Sequence, residues 1–211
     1  MASGEWGLTP FLWSNSGVRF LRFLQARLRG ERLPVALLTL AATCAFFYEY
    51  LPPFKTVHLW SDVSGYHYPL QAYAFPSLLD GHIPMWDPSV YCGITFIGNV
   101  QATLLYPPTW LMYAAAGVLG ELPFKALEVF TFLHVWLAFL LCHLWLRGRC
   151  AKLASALGAA VFACGGYMIC QVLHPGVLGA MTWLLLALWG VDEAVEREDW
   201  RSRARAVGYH T

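Results

Sequence analysis

The sequence predicts an all-α membrane protein, with about four transmembrane helices and an extracytoplasmic loop carrying short interfacial helices. Three observations predict it. Hydrophobic residues make up 58% of the 211-residue chain and charged residues only 13%, about half the charged share of an ordinary soluble domain. Four apolar runs approach the roughly 20 residues that a helix needs to cross a bilayer. Twelve of the fourteen Lys and Arg residues fall on one side of those runs.

The first run covers residues 33–51. It is uncharged over 33–48, and Glu49 and Tyr50 would sit at the interface. The second, 126–146, holds Glu128, His134 and His143 in an otherwise apolar stretch. The third is 153–173 and the fourth, somewhat short, is 176–191. Arg19, Arg22, Arg27, Arg29 and Arg32 precede the first run, Arg147, Arg149 and Lys152 join the second to the third, and Arg197, Arg201, Arg203 and Arg205 follow the fourth. Positive residues collect in the cytoplasm, so both termini are expected inside. Only Lys55 and Lys125 fall outside.

A fifth apolar stretch, 102–119, would invert this parity if it crossed. Pro107-Pro108 interrupts helical hydrogen bonding within it, so it reads as an interfacial or re-entrant helix pair. The chain then divides into a basic amphipathic cytoplasmic segment (1–32), a transmembrane region (33–191) with its outer loop at 52–125, and a charged cytoplasmic tail (192–211). Within 1–32, Val18, Leu21, Leu24 and Leu28 recur at helical spacing among arginines, a pattern that suits the anionic inner leaflet. Ala42-Thr43-Cys44 loosely resembles a lipoprotein cleavage site, but three later spans favour an uncleaved anchor.

The outer loop carries the chemistry. Residues 60–108 are rich in Tyr, Trp, Pro and Gly. They hold three acids, Asp62, Asp80 and Asp87, and no Lys or Arg. A solvated linker would be more charged and less aromatic, so this is a folded loop on the membrane face. A carboxylate held there can act as a base or bind a metal. Asp62 could equally cap a helix beginning near Val63. His58 and His67 flank it at spacings of four and five, a weak metal pattern. His174 falls at the outer mouth between the third and fourth runs, where ionisable groups are costly and often functional. His134 and His143 read as packing residues.

Other signatures narrow the classes. There is no CxxC pair, and Cys44, Cys142, Cys164 and Cys170 lie in apolar runs as small core residues. Cys150 is expected in the cytoplasm, and Cys92 is the outer loop's one cysteine. Gly158, Ala159, Ala163 and Gly166 allow close helix contact, and Gly165-Gly166 can loosen the third helix. No phosphate-binding glycine loop, serine nucleophile elbow, nucleic-acid motif or internal repeat is present, so a nucleotide-driven pump and a nucleic-acid partner are unsupported.

The motif order of the loop resembles the YfhO family of bacterial multi-spanning membrane proteins, which is similar to the GT-C class of integral-membrane glycosyltransferases. Asp62 stands in SDVSGYHYP. Then come Gly81-His82-Ile83-Pro84-Met85-Trp86-Asp87-Pro88, Gly93, Gln101 and Tyr106-Pro107-Pro108. This follows the family's G-x-[IL]-P-x-W-[ND]-P stretch with a later Gln and Tyr-Pro. The resemblance covers roughly residues 32–191. It implies transfer of a sugar from a polyprenyl-phosphate donor to a cell-envelope glycan, lipid or polymer, at the outer face of a bacterial plasma (inner) membrane. It implies Asp62 as acceptor-activating base or metal contact, with Mg or Mn as the candidate metal. Tyr66, His67, Gln101 and His174 are then substrate-binding, His174 toward the donor phosphate, and Tyr66, His67 and Tyr68 can orient Asp62. Members of that class usually have eight or more spans, so four spans read as the N-terminal part of a longer protein. A non-catalytic scaffold, or a transporter or channel subunit with Asp62 and His174 lining a path, are the other readings.

The topology is directly testable. In a cysteine-free background, a cysteine at Ser89 is expected to react with an impermeant thiol reagent from outside, and one at Ser202 only after permeabilisation. External labelling at Ser202 would overturn the four-span arrangement.

Overall fold

The structure, a computed structural model, describes residues 32–51, 58–59 and 61–196. Residues 18–31 of the amphipathic segment and 197–211 of the charged tail lie outside these residues. The chain divides into two units, Met1–Leu38 and Thr39–Thr211. The first contributes the opening of helix α1 (Arg32–Phe46). The remainder of α1 and every later element belong to the second.

The described chain is mostly helical. After α1 come α2 (Tyr68–Leu79), α3 (Pro107–Leu119), α4 (Phe124–Leu146), α5 (Lys152–Ala163), α6 (Gly166–Gln171) and α7 (Pro175–Glu196). A two-residue hairpin interrupts the helical pattern. Strands β1 (Trp86–Asp87) and β2 (Ile94–Thr95) pair antiparallel, Trp86 opposite Thr95 and Asp87 opposite Ile94.

Among the described residues, two helices, α4 and α7, are long and apolar enough to cross a membrane. At 1.5 Å per residue they run about 35 Å and 33 Å. The other two expected spans are shorter. Helix α1 ends at Phe46 and gives way to a 3₁₀ turn over Tyr48–Tyr50. The run 153–173 is two helices because the backbone turns extended at Gly165. A Cβ there would stand 2.4 Å from the Val161 carbonyl oxygen, so glycine permits the break. The outer stretch also differs from expectation in detail. Pro107 and Pro108 occupy the first positions of α3, where a missing N–H costs nothing, so they begin the helix. Helix α2 is one of the short helices expected in the outer loop.

Helix α4 is the centre of the bundle and packs against α5 and α7. Small residues let α5 approach it: Ala159 and Ala163 are buried, and Gly158 accepts the tip of Leu146. The outer stretch is tied together by Gln71 on α2, which is buried. Its Nε2 donates to the Ala102 carbonyl at 2.8 Å and to Thr103 Oγ1, and its Oε1 accepts from the Tyr113 hydroxyl. One amide thereby links α2, the turn before α3, and α3 itself.

The hairpin is set by its own polar groups. Buried Asp87 accepts from the Ser89 N–H at 2.8 Å and from the Ser89 hydroxyl. The Tyr73 hydroxyl donates to the Trp86 carbonyl at 2.7 Å, fixing the hairpin to α2. Gly93 turns the chain with φ +113, and a Cβ there would meet the Trp86 ring at 2.4 Å. Gly93→Ala is therefore expected to destabilise the protein by about 1–3 kcal/mol through strain at that dihedral. Thermal unfolding in detergent should show a lowered Tm, and an unchanged Tm would show that the turn tolerates a side chain.

Candidate active site

Asp62 enters the site through an unusual turn. Ser61 takes φ +64, which reverses the chain. Residues Val63–His67 then wind as a π-helix that runs directly into α2. Single π turns are rare and occur frequently at functional sites. The wide winding puts Val63 and His67 inside and leaves Asp62 partly exposed at the edge.

The Asp62 side chain makes no capping hydrogen bond, which answers the capping expectation. Its Oδ2 lies 3.1 Å from His174 Nε2. His174 sits between α6 and α7 and begins α7, since its carbonyl accepts from the Leu178 N–H at 3.0 Å. The fold thus brings together two residues 112 positions apart. Both stand out in the sequence, but for separate roles.

The other expected residues fall around this pair. The His67 ring stands perpendicular to His174, with centroids 6.1 Å apart. The side chain of His67 is 3% exposed. Burial lowers its pKa, which the Gln101 backbone carbonyl, the cationic form of His174 and Asp62 modify in smaller measure. Gln101 lines the adjoining cavity, and its N–H donates to Asn99 Oδ1 at 3.0 Å. Tyr66 and Tyr68 do not orient Asp62 as expected. The Tyr66 hydroxyl accepts from Asn99 at 3.3 Å, and the Tyr68 hydroxyl donates to the Leu122 carbonyl at 2.9 Å.

Beside the pair is a cavity of about 770 Å³. His67, Asn99 and His174 line its polar part, and Leu104, Val177 and Trp183 line its apolar part. Sequence reasoning missed one wall of it. The Tyr106 hydroxyl lies 2.7 Å from His134 Nε2 and accepts from the Trp183 indole N–H. His134 Nδ1 is 2.7 Å from the Phe130 carbonyl, which can only accept. The proton is therefore on Nδ1, and Tyr106 donates to Nε2. Gly179 makes room for the phenol, because a Cβ there would stand 3.0 Å from its oxygen. Burial raises the Tyr106 pKa, and the bond from Trp183 partly offsets this.

A second cluster was also missed. Glu128 is fully buried at the start of α4. Its Oε1 accepts from the Leu59 N–H at 3.0 Å and faces His58 Nδ1 at 3.1 Å, and its Oε2 faces Lys125 Nζ at 3.1 Å. Lys125 also donates to the Tyr50 carbonyl at 2.9 Å. His58 is thus engaged here and does not flank Asp62. Spacing gave no signal for this, since the partners lie about 70 residues apart.

Among the described residues, no three His, Cys, Asp or Glu side chains are placed to hold a metal ion. What the pair can do is acid–base chemistry, with a carboxylate fixing an imidazole. No protein-family model, curated protein or solved structure matches this chain.

Glu128→Ala is expected to lower stability by about 2–3 kcal/mol, because it leaves the Leu59 N–H without its acceptor and the Lys125 ammonium without its counter-charge. The double variant Lys125→Met, Glu128→Leu should recover much of that loss. Equal Tm values for wild type and Glu128→Ala in detergent would show that the cluster holds nothing.

Proposed function

We propose that this chain belongs to a membrane glycosyltransferase. In this reading it moves a sugar from a polyprenyl-phosphate donor to a cell-envelope acceptor at the outer face of the membrane. The observation that carries the reading is the Asp62–His174 pair, 3.1 Å apart and beside a large cavity. The loop's resemblance to the YfhO family supports it from the sequence side.

A membrane setting is supported by more than helix length. Leu153, Leu157 and Val161 form one exposed face of α5, and Leu111, Val118 and Leu119 are exposed on α3. Apolar surface of this extent calls for a covering phase. Polar clusters mark the two ends of α4. Lys125 and Glu128 stand at one end. At the other, Trp145 donates to Asp192 at 2.6 Å, Arg149 pairs with Asp192, and the Arg149 guanidinium lies 4.8 Å over the Trp145 ring. Twenty residues separate Lys125 from Trp145, about 30 Å along a helix and close to the thickness of a hydrocarbon core. The excess of arginine favours the Trp145 end as cytoplasmic, which puts Asp62 and His174 at the outer end. A polyprenyl donor cannot leave the bilayer, so its chemistry must occur at such an interface.

In the proposed reaction the pair removes the proton from an acceptor hydroxyl. The hydroxyl oxygen bonds to sugar C1, and the bond from C1 to the phosphate oxygen breaks. Polyprenyl phosphate leaves with the electron pair, and the configuration at C1 inverts. A passive scaffold would leave the carboxylate–imidazole pair beside the cavity without a role.

Asp62→Asn removes the carboxylate charge while keeping side-chain size. It is expected to give a folded protein whose transfer of radiolabelled sugar, from polyprenyl-linked donors into envelope material in native membranes, falls roughly 10²-fold or more. Normal transfer by a well-expressed Asp62→Asn protein would remove Asp62 from the mechanism.

A further inference from the structure

The β1–β2 hairpin carries exposed side chains that the site does not use. Between residues 83 and 91, Ile83 is 54% exposed, Met85 59%, Trp86 54% and Tyr91 86%. Large apolar side chains grouped at such exposure mark an interaction surface. The distribution of charge says of which kind. Residues 81–120 contain one Asp and no Glu, Lys or Arg. That residue is Asp87, which is buried and turned onto Ser89. The whole stretch therefore presents no carboxylate, ammonium or guanidinium to its surroundings.

A protein partner is steered and held in register by complementary charge, and this surface supplies none. A lipid interface asks for the reverse, Trp and Tyr at headgroup level beside apolar side chains. With no Lys or Arg nearby, nothing draws the hairpin to anionic lipids in particular.

The hairpin also continues a surface already assigned to the bilayer. The Tyr73 hydroxyl ties it to α2 through the Trp86 carbonyl. At its C-terminal end α2 meets α3, where a Cβ on Gly117 would stand 3.6 Å from Leu79 Cδ2. Leu79 is itself exposed, as are Val118 and Leu119 on α3. The shape of the hairpin is fixed in advance. The Phe96 N–H donates to the Met85 carbonyl at 2.9 Å and the Gly93 N–H to the Val90 carbonyl at 2.8 Å. A preorganised surface loses little freedom when it docks.

We propose that the hairpin is a membrane anchor separate from the spanning helices, and that its partner is the uncharged headgroup layer of the outer leaflet. Ile83, Met85, Trp86 and Tyr91 seat in that layer. Asp87 takes no part in the contact, because Ser89 satisfies it within the turn. The anchor holds the outer loop at a set height above the hydrocarbon core. This goes beyond the transferase reading and does not depend on it.

Fluorescence quenching on the full chain in phosphatidylcholine nanodiscs tests the proposal. An environment-sensitive dye is attached in a cysteine-free background to Met85→Cys, to Tyr91→Cys or, as a control for folding and insertion, to Leu133→Cys on α4. At Met85 and Tyr91 the emission should be blue-shifted and quenched by phosphatidylcholine carrying a nitroxide high on its acyl chain. Aqueous iodide should quench weakly there, and neither added phosphatidylglycerol nor high salt should change the pattern. Replacing Ile83, Met85 and Trp86 together by Ser should reduce lipid quenching at Tyr91→Cys and raise iodide quenching. With the Leu133 dye quenched by lipid, strong iodide quenching alone at both hairpin positions would place the hairpin in water and overturn the proposal. Protection from both quenchers would mean cover by protein, a second copy or another chain, and would overturn it too. So would a need for phosphatidylglycerol, or lipid quenching that the three Ser substitutions leave unchanged. Sugar transfer enters none of these readouts, so the transferase reading stands or falls separately.

Discussion

The buried carboxylate of Glu128 is the constraint on which the rest of the outer region depends. A charge removed from solvent needs several close partners. Here they are the Leu59 N–H, His58 and Lys125, with Lys125 reaching on to the Tyr50 carbonyl. The cluster therefore holds the chain where it leaves the first helix and again three residues before Asp62. It also fixes both points to the start of α4, the helix against which α5 and α7 pack. Since α7 begins at the His174 link, the two halves of the site are referred to one frame.

The cavity wall extends that frame inward. Tyr106 is where the outer loop meets the bundle, with His134 of α4 on one side and Trp183 of α7 on the other. Thr182, one residue earlier on α7, lies 3.2 Å from the His134 carbonyl and donates to the Leu178 carbonyl at 2.9 Å. Polar side chains inside an apolar bundle are retained where they fix register, because a mismatch strands them. Here they set the depth of α7 against α4, and with it the height of His174.

Much of this was legible in the sequence and some was not. The apolar runs gave α4 and α7, because a long helix with an uninterrupted pattern announces itself. They overstated the run at 153–173, because hydropathy does not register a backbone break, although Gly165-Gly166 marked its place. The double proline at 107–108 reads as an interruption in sequence yet begins a helix, a matter of which end of the helix the proline meets. Asp62, His67 and His174 were singled out because ionisable groups stand out in an apolar, aromatic setting. Their mutual arrangement was hidden, since nothing local links a π turn to a residue 112 positions later. The Tyr106–His134 and Glu128 clusters were hidden for the same reason. Each reads as an ordinary residue of its own segment until the fold supplies the partner.

The π-helix over Val63–His67 has one more consequence. A π turn is in effect an α-helix wound with one residue too many. Each residue of an α-helix advances the side-chain direction by about 100°. Asp62 therefore faces His174, and His67 the interior, by virtue of how many residues lie between Ser61 and the first regular turn of α2. The orientation of the pair is a property of chain length as well as of side-chain identity. Over evolutionary time this stretch should accept changes of residue far more readily than the gain or loss of one, because a single-residue deletion would swing the carboxylate out of reach while leaving every neighbouring side chain chemically intact.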